Sequence, residues 1–135
     1  MKILHIITSL RIGGAEHLMV DLLPCLRDLD NDVELLLFDG TRTAFYEELE
    51  KNGIKIYSLG IGGNVYNPSN IFKLRKYISK YEIIHTHNTA CQLFAPMAKV
   101  LSNSRVKLVT TEHNATNRRR NKRYLKMFDK WMYNR

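Results

Sequence analysis

Three stretches of this chain carry side chains that can do chemistry. His85-Thr86-His87-Asn88 and Thr110-Thr111-Glu112-His113-Asn114 gather imidazoles, amides and a carboxylate into a few positions each. Ser9-Leu10-Arg11-Ile12-Gly13-Gly14-Ala15-Glu16 sets two glycines ahead of an aliphatic run. An imidazole exchanges a proton near neutral pH, which makes His113 the candidate for proton transfer. Two glycines between a strand and a helix let a ligand reach helix N–H groups that carry partial positive charge. Gly13 and Gly14 therefore suit an anion or polar ligand, the alternative being a plain tight turn with Glu16 steadying the helix start. The dinucleotide fingerprint needs a third glycine at another spacing, and a P-loop needs a Gly-Lys-Ser/Thr that does not follow.

His85 and His87, two apart on a strand, share one face. They could begin a metal site, but the sequence offers no third ligand at a recognisable spacing. His85 reads as a core histidine bonded to backbone, and His87 with Asn88 as cleft-facing residues at the strand tip. Glu112 and Glu16 could instead pair with basic neighbours. Asp28-Leu29-Asp30 matches a short acidic pattern that can hold a metal, but it falls at the end of a helix, on the edge away from the other candidates.

These residues need elements to hold them. Short aliphatic or β-branched runs at Lys2–Thr8, Asp32–Phe38, Ile54–Leu59, Glu82–His87 and Val106–Thr111 have strand length. Several are apolar almost throughout, as strands covered on both faces are. Helical periods lie between them. The first places Ala15, Leu18, Met19, Leu22, Leu23, Leu26 and Leu29 on one stripe, with Pro24 expected to kink it. A second runs over Ala44–Asn52 and stops at Gly53. A third begins with Ser69 as N-cap and turns Ile71, Leu74 and Ile78 inward. A fourth, Thr89–Leu101, holds Pro96 and turns Leu93, Met97, Val100 and Leu101 inward. A last begins near Arg118, with Tyr124, Leu125, Phe128, Trp131 and Met132 on one face. Strict alternation predicts an α/β fold: a Rossmann-like, doubly wound parallel sheet of about five strands in the order 3-2-1-4-5 with helices on both faces. Ligands of such sheets bind beyond the carboxyl ends of the strands, beside the switch between the first and fourth. The long loop Gly60–Pro68 opens on that edge.

The chain has 135 residues, 44% hydrophobic and 25% charged, a balance that suits one globular domain. No apolar run is long enough to span a bilayer. Met1–Leu10 reads as a buried strand and not as a signal peptide. Cys25 and Cys91 lack metal-ligand spacing and read as small core residues in a reducing compartment. The net charge of +8 sits almost wholly after residue 116, where eight basic residues face Asp129 alone. The apolar stripe of this tail suits an ordinary helix packed on the sheet with a solvated basic face, and such a helix can also lie on an anionic membrane surface. Nucleic acid ranks lower, because the tail aromatics fall at helical spacing and form no stacking platform.

Taken together in this order, the Gly-Gly-Ala-Glu turn, Ile84-His85-Thr86-His87-Asn88 and Thr111-Glu112-His113-Asn114 resemble the N-terminal, acceptor-binding domain of glycosyltransferase family 4, over Lys2 to about Tyr133. The resemblance implies a GT-B fold of two Rossmann-like domains facing across a cleft, with no metal or other cofactor. It implies transfer from a nucleotide sugar, with retention in most members, to a saccharide or lipid-linked acceptor in cell-surface polysaccharide synthesis, cytoplasmic and peripheral to the membrane. His113 would then stand at the reacting centre. Gly13 and Gly14 would approach donor phosphates or acceptor, Glu16 would orient that turn, and His87, Asn88, Glu112 and Asn114 would meet substrate. The Gly60–Pro68 loop would shape acceptor choice. The nucleotide-sugar domain, with its paired glutamates, has no counterpart in these residues, so 1–135 is expected to be a partial N-terminal domain, inactive alone. The alternative is a stand-alone flavodoxin-like module for a small ligand or protein partner.

Overall fold

The computed structural model describes residues 1–113 and Lys130. The predicted last helix, Asn114 and the rest of the basic tail lie outside the described residues. Five strands, β1 (Lys2–Ile7), β2 (Asp32–Leu37), β3 (Lys55–Ser58), β4 (Ile83–His87) and β5 (Lys107–Thr111), alternate with α1 (Gly14–Asp28), α2 (Ala44–Lys51), α3 (Ser69–Ile78) and α4 (Thr89–Leu101). All strand pairs are parallel and the sheet order is β3-β2-β1-β4-β5, as the alternation predicts. Among the described residues, no helix is long and apolar enough to cross a membrane.

Each sheet face has its own core because alternate side chains of a strand leave on opposite sides. Leu4, Ile6, Leu36, Phe38 and Ile84 pack with Leu74 and Ile78 of α3 and with Ala90, Cys91, Phe94 and Ala98 of α4. Ile7, Val33, Leu35 and Leu37 pack with Ala15, Met19, Val20 and Leu23 of α1 and with Leu49 of α2. Burying each large aliphatic chain contributes about 1.5–3 kcal/mol, so the two central strands, β1 and β2, anchor the domain.

Several expectations about helix faces need correction. Leu18 is 39% exposed and Leu29, beyond the last turn of α1, is 72% exposed. Cys25 is exposed, and only Cys91 is a core cysteine. Pro24 lies within α1 without ending it. Val100 and Leu101 are about half exposed, while Ala90, Ala95 and Ala98 are buried. Helix α4 lies against α3 and the sheet at once, and the small side chains allow that approach. Ser69 is the first residue of α3 and Pro68 its N-cap, with the Ser69 N–H held by Asn67 Oδ1 at 3.0 Å. Gly53 does close α2, at φ 78°, a left-handed conformation that glycine adopts without steric cost.

The carboxyl edge is tied together by Asp39, just beyond β2, which the sequence reading did not single out. Its carboxylate accepts from Thr41 Oγ1 (2.6 Å) and N (3.0 Å), from Gly62 N (2.9 Å) and from Arg11 Nη2 (3.2 Å). One buried side chain thus joins the loops after β1, β2 and β3. The Thr41 hydroxyl first, then the backbone N–H groups and Arg11, hold its pKa down to about 2 against a desolvation effect of opposite sign. A lowered carboxylate pKa stabilises the fold above the unfolded value and stops doing so as pH falls through the folded value. Asp39→Asn is therefore expected to lower the unfolding free energy by about 2 kcal/mol at neutral pH. In urea titrations the gap between variant and parent should close as pH falls from 3.8 towards about 2. A gap that does not change with pH would contradict this assignment.

Candidate functional site

The site follows from the register of β1 and β4. These strands are neighbours in space, yet their following loops run to helices on opposite faces of the sheet, which leaves a crevice at the carboxyl edge. Gly14, Ala15 and Glu16 from the start of α1, Asn88 from the end of β4 and His113 beyond β5 line a cleft of about 300 Å³ there. Four residues chosen from the sequence, Gly14, Glu16, Asn88 and His113, thus meet in one place. A larger hollow of about 400 Å³ opens at the opposite edge, lined by Tyr81, Glu82, Ser104 and Arg105 among others. It holds none of the histidines.

The other candidates stand around the cleft. Gly13 is the N-cap of α1 in an extended conformation, with no side-chain cap. A methyl group there would collide with the Glu16 carboxylate, which folds back over it. Glu112 is exposed beside His113. Asn114 lies outside the described residues. His87, read from the sequence as a cleft-lining residue, is only 1% exposed and stands behind His113, its Nδ1 3.0 Å from His113 Nε2. Asp28-Leu29-Asp30 sits at the far end of α1, leading to the amino end of β2, away from the cleft.

Asn88 joins β4 to α4 at φ 69°, ψ 156°, a region populated almost only by glycine. Its Nδ2 donates to Thr8 Oγ1 at 3.0 Å, which pins the β4 tip to the end of β1. It gives α4 no side-chain cap. Both α1 and α4 therefore begin at this edge with backbone N–H groups that no capping side chain satisfies, an arrangement that favours an anion.

Beneath the cleft lies a buried group of imidazoles. His5 is the register partner of His85, and His85 of Val109, so His5, His85 and His87 project from one face. The His5 and His85 rings are 4.9 Å apart, those of His85 and His87 4.2 Å, and those of His5 and His87 5.4 Å. His5 Nδ1 lies 3.1 Å from His87 Nε2. His85 binds the Thr111 hydroxyl at 2.7 Å and not backbone, as its sequence context suggested. Burial first, then the neighbouring His85, pushes His5 and His87 down to about 3, so both are neutral at physiological pH. His85 is lowered by burial and by His113.

His5 supplies the third histidine that the sequence reading did not find. Nitrogens of His5, His85 and His87 lie within 4.8 Å of one another. A tetrahedral zinc ion with Zn–N bonds of about 2.0–2.1 Å needs its ligands closer, with lone pairs converging. Here the rings of His5 and His87 are near-parallel, 12° between planes, and bonded nitrogen to nitrogen. As they stand, these rings form a hydrogen-bonded row and not a ligand cage.

Comparisons place this arrangement among known proteins. The family model described as Glycosyltransferase Family 4 matches residues 12–135. No curated protein sequence matches the chain. Three solved structures of Anabaena HepE share the fold. The complex with UDP and glucose has a TM-score of 0.73 at 20% identity, covering 99% of this chain and 35% of HepE. The UDP complex gives 0.70 at 22% identity, covering 95% and 35%. The UDP-glucose complex gives 0.70 at 20% identity, covering 94% and 34%. The chain thus spans about a third of HepE's length.

The backbone at Asn88 yields a stability test. Asn88→Gly removes the strain and Asn88→Ala keeps it, while both lose the bond to Thr8. The glycine variant is expected to be the more stable of the two by about 1–3 kcal/mol, read from urea unfolding. Equal stabilities would mean that the conformation carries no strain.

Proposed function

The chain belongs to glycosyltransferase family 4, and from that premise we propose that it forms the acceptor-side wall of a transferase site. The observation that carries this reading is the convergence of Gly14, Glu16, Asn88 and His113 on one cleft at the sheet's switch point. In the proposed reaction, the bond between the anomeric carbon of a nucleotide sugar and its phosphate breaks. A bond from an acceptor hydroxyl to that carbon forms, the departing phosphate oxygen keeps the electron pair of the broken bond, and the hydroxyl's proton passes to that phosphate.

Each cleft residue has work to do in that exchange. The uncapped start of α1 at Gly13 and Gly14 offers N–H groups to phosphate charge as it develops. Asn88 offers an amide to acceptor hydroxyls. His113 is the catalytic residue, placed to hydrogen-bond an oxygen at the reacting centre. Glu16 keeps the glycine turn in shape. His87 acts through His113 and does not itself touch substrate.

The donor is held by a second domain facing this one. HepE, which shares the fold and is about three times as long as the matched region, has been crystallised with UDP, with UDP and glucose, and with UDP-glucose. A hexose donor, transfer with retention and an acceptor that is a saccharide or lipid-linked saccharide of the cell surface complete the proposal. The basic residues after position 116 would dock the enzyme on an anionic, cytoplasmic membrane face.

The test is transfer kinetics of the protein in which this domain is joined to its donor domain. His113→Ala is expected to lower kcat by about 10²-fold or more in a protein that still folds. Lys107→Ala, at the exposed amino end of β5, should leave kcat as it was. A His113→Ala enzyme within about twofold of the parent kcat would remove His113 from the chemistry.

A further inference from the structure

His5, His87 and His113 form a continuous row of hydrogen-bonded imidazoles, from the middle of β1 through the tip of β4 to the cleft. We propose that His5 is a positioning residue of the cleft: acting through His87, it sets which nitrogen of His113 carries the proton. The proposal rests on the reading of His113 as a cleft residue. Its test needs no ligand, so failure here and failure of the transferase reading are distinguishable.

The argument is one of hydrogen-bond accounting. A neutral imidazole has one N–H donor and one lone-pair acceptor, on different nitrogens. The links are His5 Nδ1 to His87 Nε2 at 3.1 Å and His87 Nδ1 to His113 Nε2 at 3.0 Å. Each link joins an Nδ1 to an Nε2, and each needs one proton between the two nitrogens. If His5 carries its proton on Nδ1, His87 Nε2 must accept, so His87 carries its proton on Nδ1 and donates to His113 Nε2. His113 then carries its own on Nδ1. If His113 donates from Nε2, the same logic puts the protons of His87 and His5 on Nε2. Only these two registers satisfy both links, and in each all three rings hold the proton on the same nitrogen. The near-parallel rings of His5 and His87, 12° between planes, and the burial of both leave little room for a third arrangement.

The registers offer different things to a ligand. With His113 Nε2 occupied by His87, Nδ1 is the nitrogen that remains. It is an N–H donor in the first register, suited to a phosphate or carbonyl oxygen, and a lone pair in the second, suited to a hydroxyl. The inner end of the row makes the choice. His5 Nε2 is buried and has no hydrogen-bond partner among the described residues, so it is either an unpaired lone pair or an unpaired N–H, and the difference between those two costs is felt at His113. A buried residue two links away thereby governs the polarity of the cleft.

Nitrogen-15 NMR of the full 135-residue chain tests this, because the chain has only five histidines. Spectra are recorded at a pH of about 8, above the ordinary histidine pKa of about 6.5. His5, His87 and His113 are expected to share one tautomer, with nitrogen–nitrogen couplings across both hydrogen bonds. His17, exposed on α1 beside Asp21, is the internal reference. His5→Phe should move the His113 tautomer ratio by about threefold or more while the His17 signal stays in place. His5→Gln, whose amide can meet His87 Nε2 as donor or acceptor, keeps the row bonded without imposing a register and should also move the His113 ratio from the parent value. Unlike tautomers in the wild-type row, missing couplings, or a His113 ratio indifferent to His5→Phe in a folded protein would each overturn the proposal. If the phenylalanine variant does not fold, the glutamine variant supplies the same test, and a His113 ratio equal to the parent's in that variant would overturn the proposal.

Discussion

The pairing of β1 with β4 is the constraint on which the rest of this domain depends. Their register sets His5 beside His85, aims the Gly13-Gly14 turn and Asn88 at the same crevice, and leaves His113, one strand further out, to close it. Because the loops after β1 and β4 lead to helices on opposite faces, nothing in the sheet itself fills the space between them. A one-residue slip would turn His5 away from His85 and bury the wrong face of β1. The aliphatic pattern on both faces, Leu4 and Ile6 on one and Ile7 on the other, prevents that slip.

Several unfavourable local energies meet at this edge. His5 and His87 are buried without charge, one buried ring nitrogen has no partner among the described residues, and Asn88 holds a backbone conformation suited to glycine. Such costs persist where the surrounding structure over-determines them, and they cluster at functional sites. The surroundings here are the two cores and the Asp39 clamp across three loops. The hollow at the opposite edge is larger, yet no imidazole lines it. Of its lining residues Asn103 is left-handed, at φ 47°, in an ordinary helix-to-strand turn.

Much of this was legible in the sequence, and what was missed has physical reasons. Strand positions and sheet order follow from the length and alternation of apolar runs, which depend only on local periodicity. Gly14, Glu16, Asn88 and His113 could be grouped because each ends a strand or starts a helix, and parallel topology brings those ends to one edge. His5 was not legible, because a histidine amid Ile3, Leu4, Ile6 and Ile7 looks like core until its register partner is known. Asp39 could have been found: an acidic residue directly after a buried strand, followed by glycine, is poorly suited to core. His87 was placed in the cleft by its position at a strand tip, whereas the chain beyond β5 covers it with His113. Helix α4 misled through size, since large side chains suggest a buried stripe while its close approach to α3 selects alanines.

The central claim is that ligands meet this domain at the carboxyl edge. The most direct measurement is a nitrogen-15 NMR titration of the 135-residue chain, first with UDP and then with saccharide acceptors. The account predicts that backbone signals of Gly14, Ala15, Glu16, Asn88 and His113 shift together, with Tyr81, Glu82, Ser104 and Arg105 unmoved. Shifts confined to that second group would place binding at the amino edge and contradict the account.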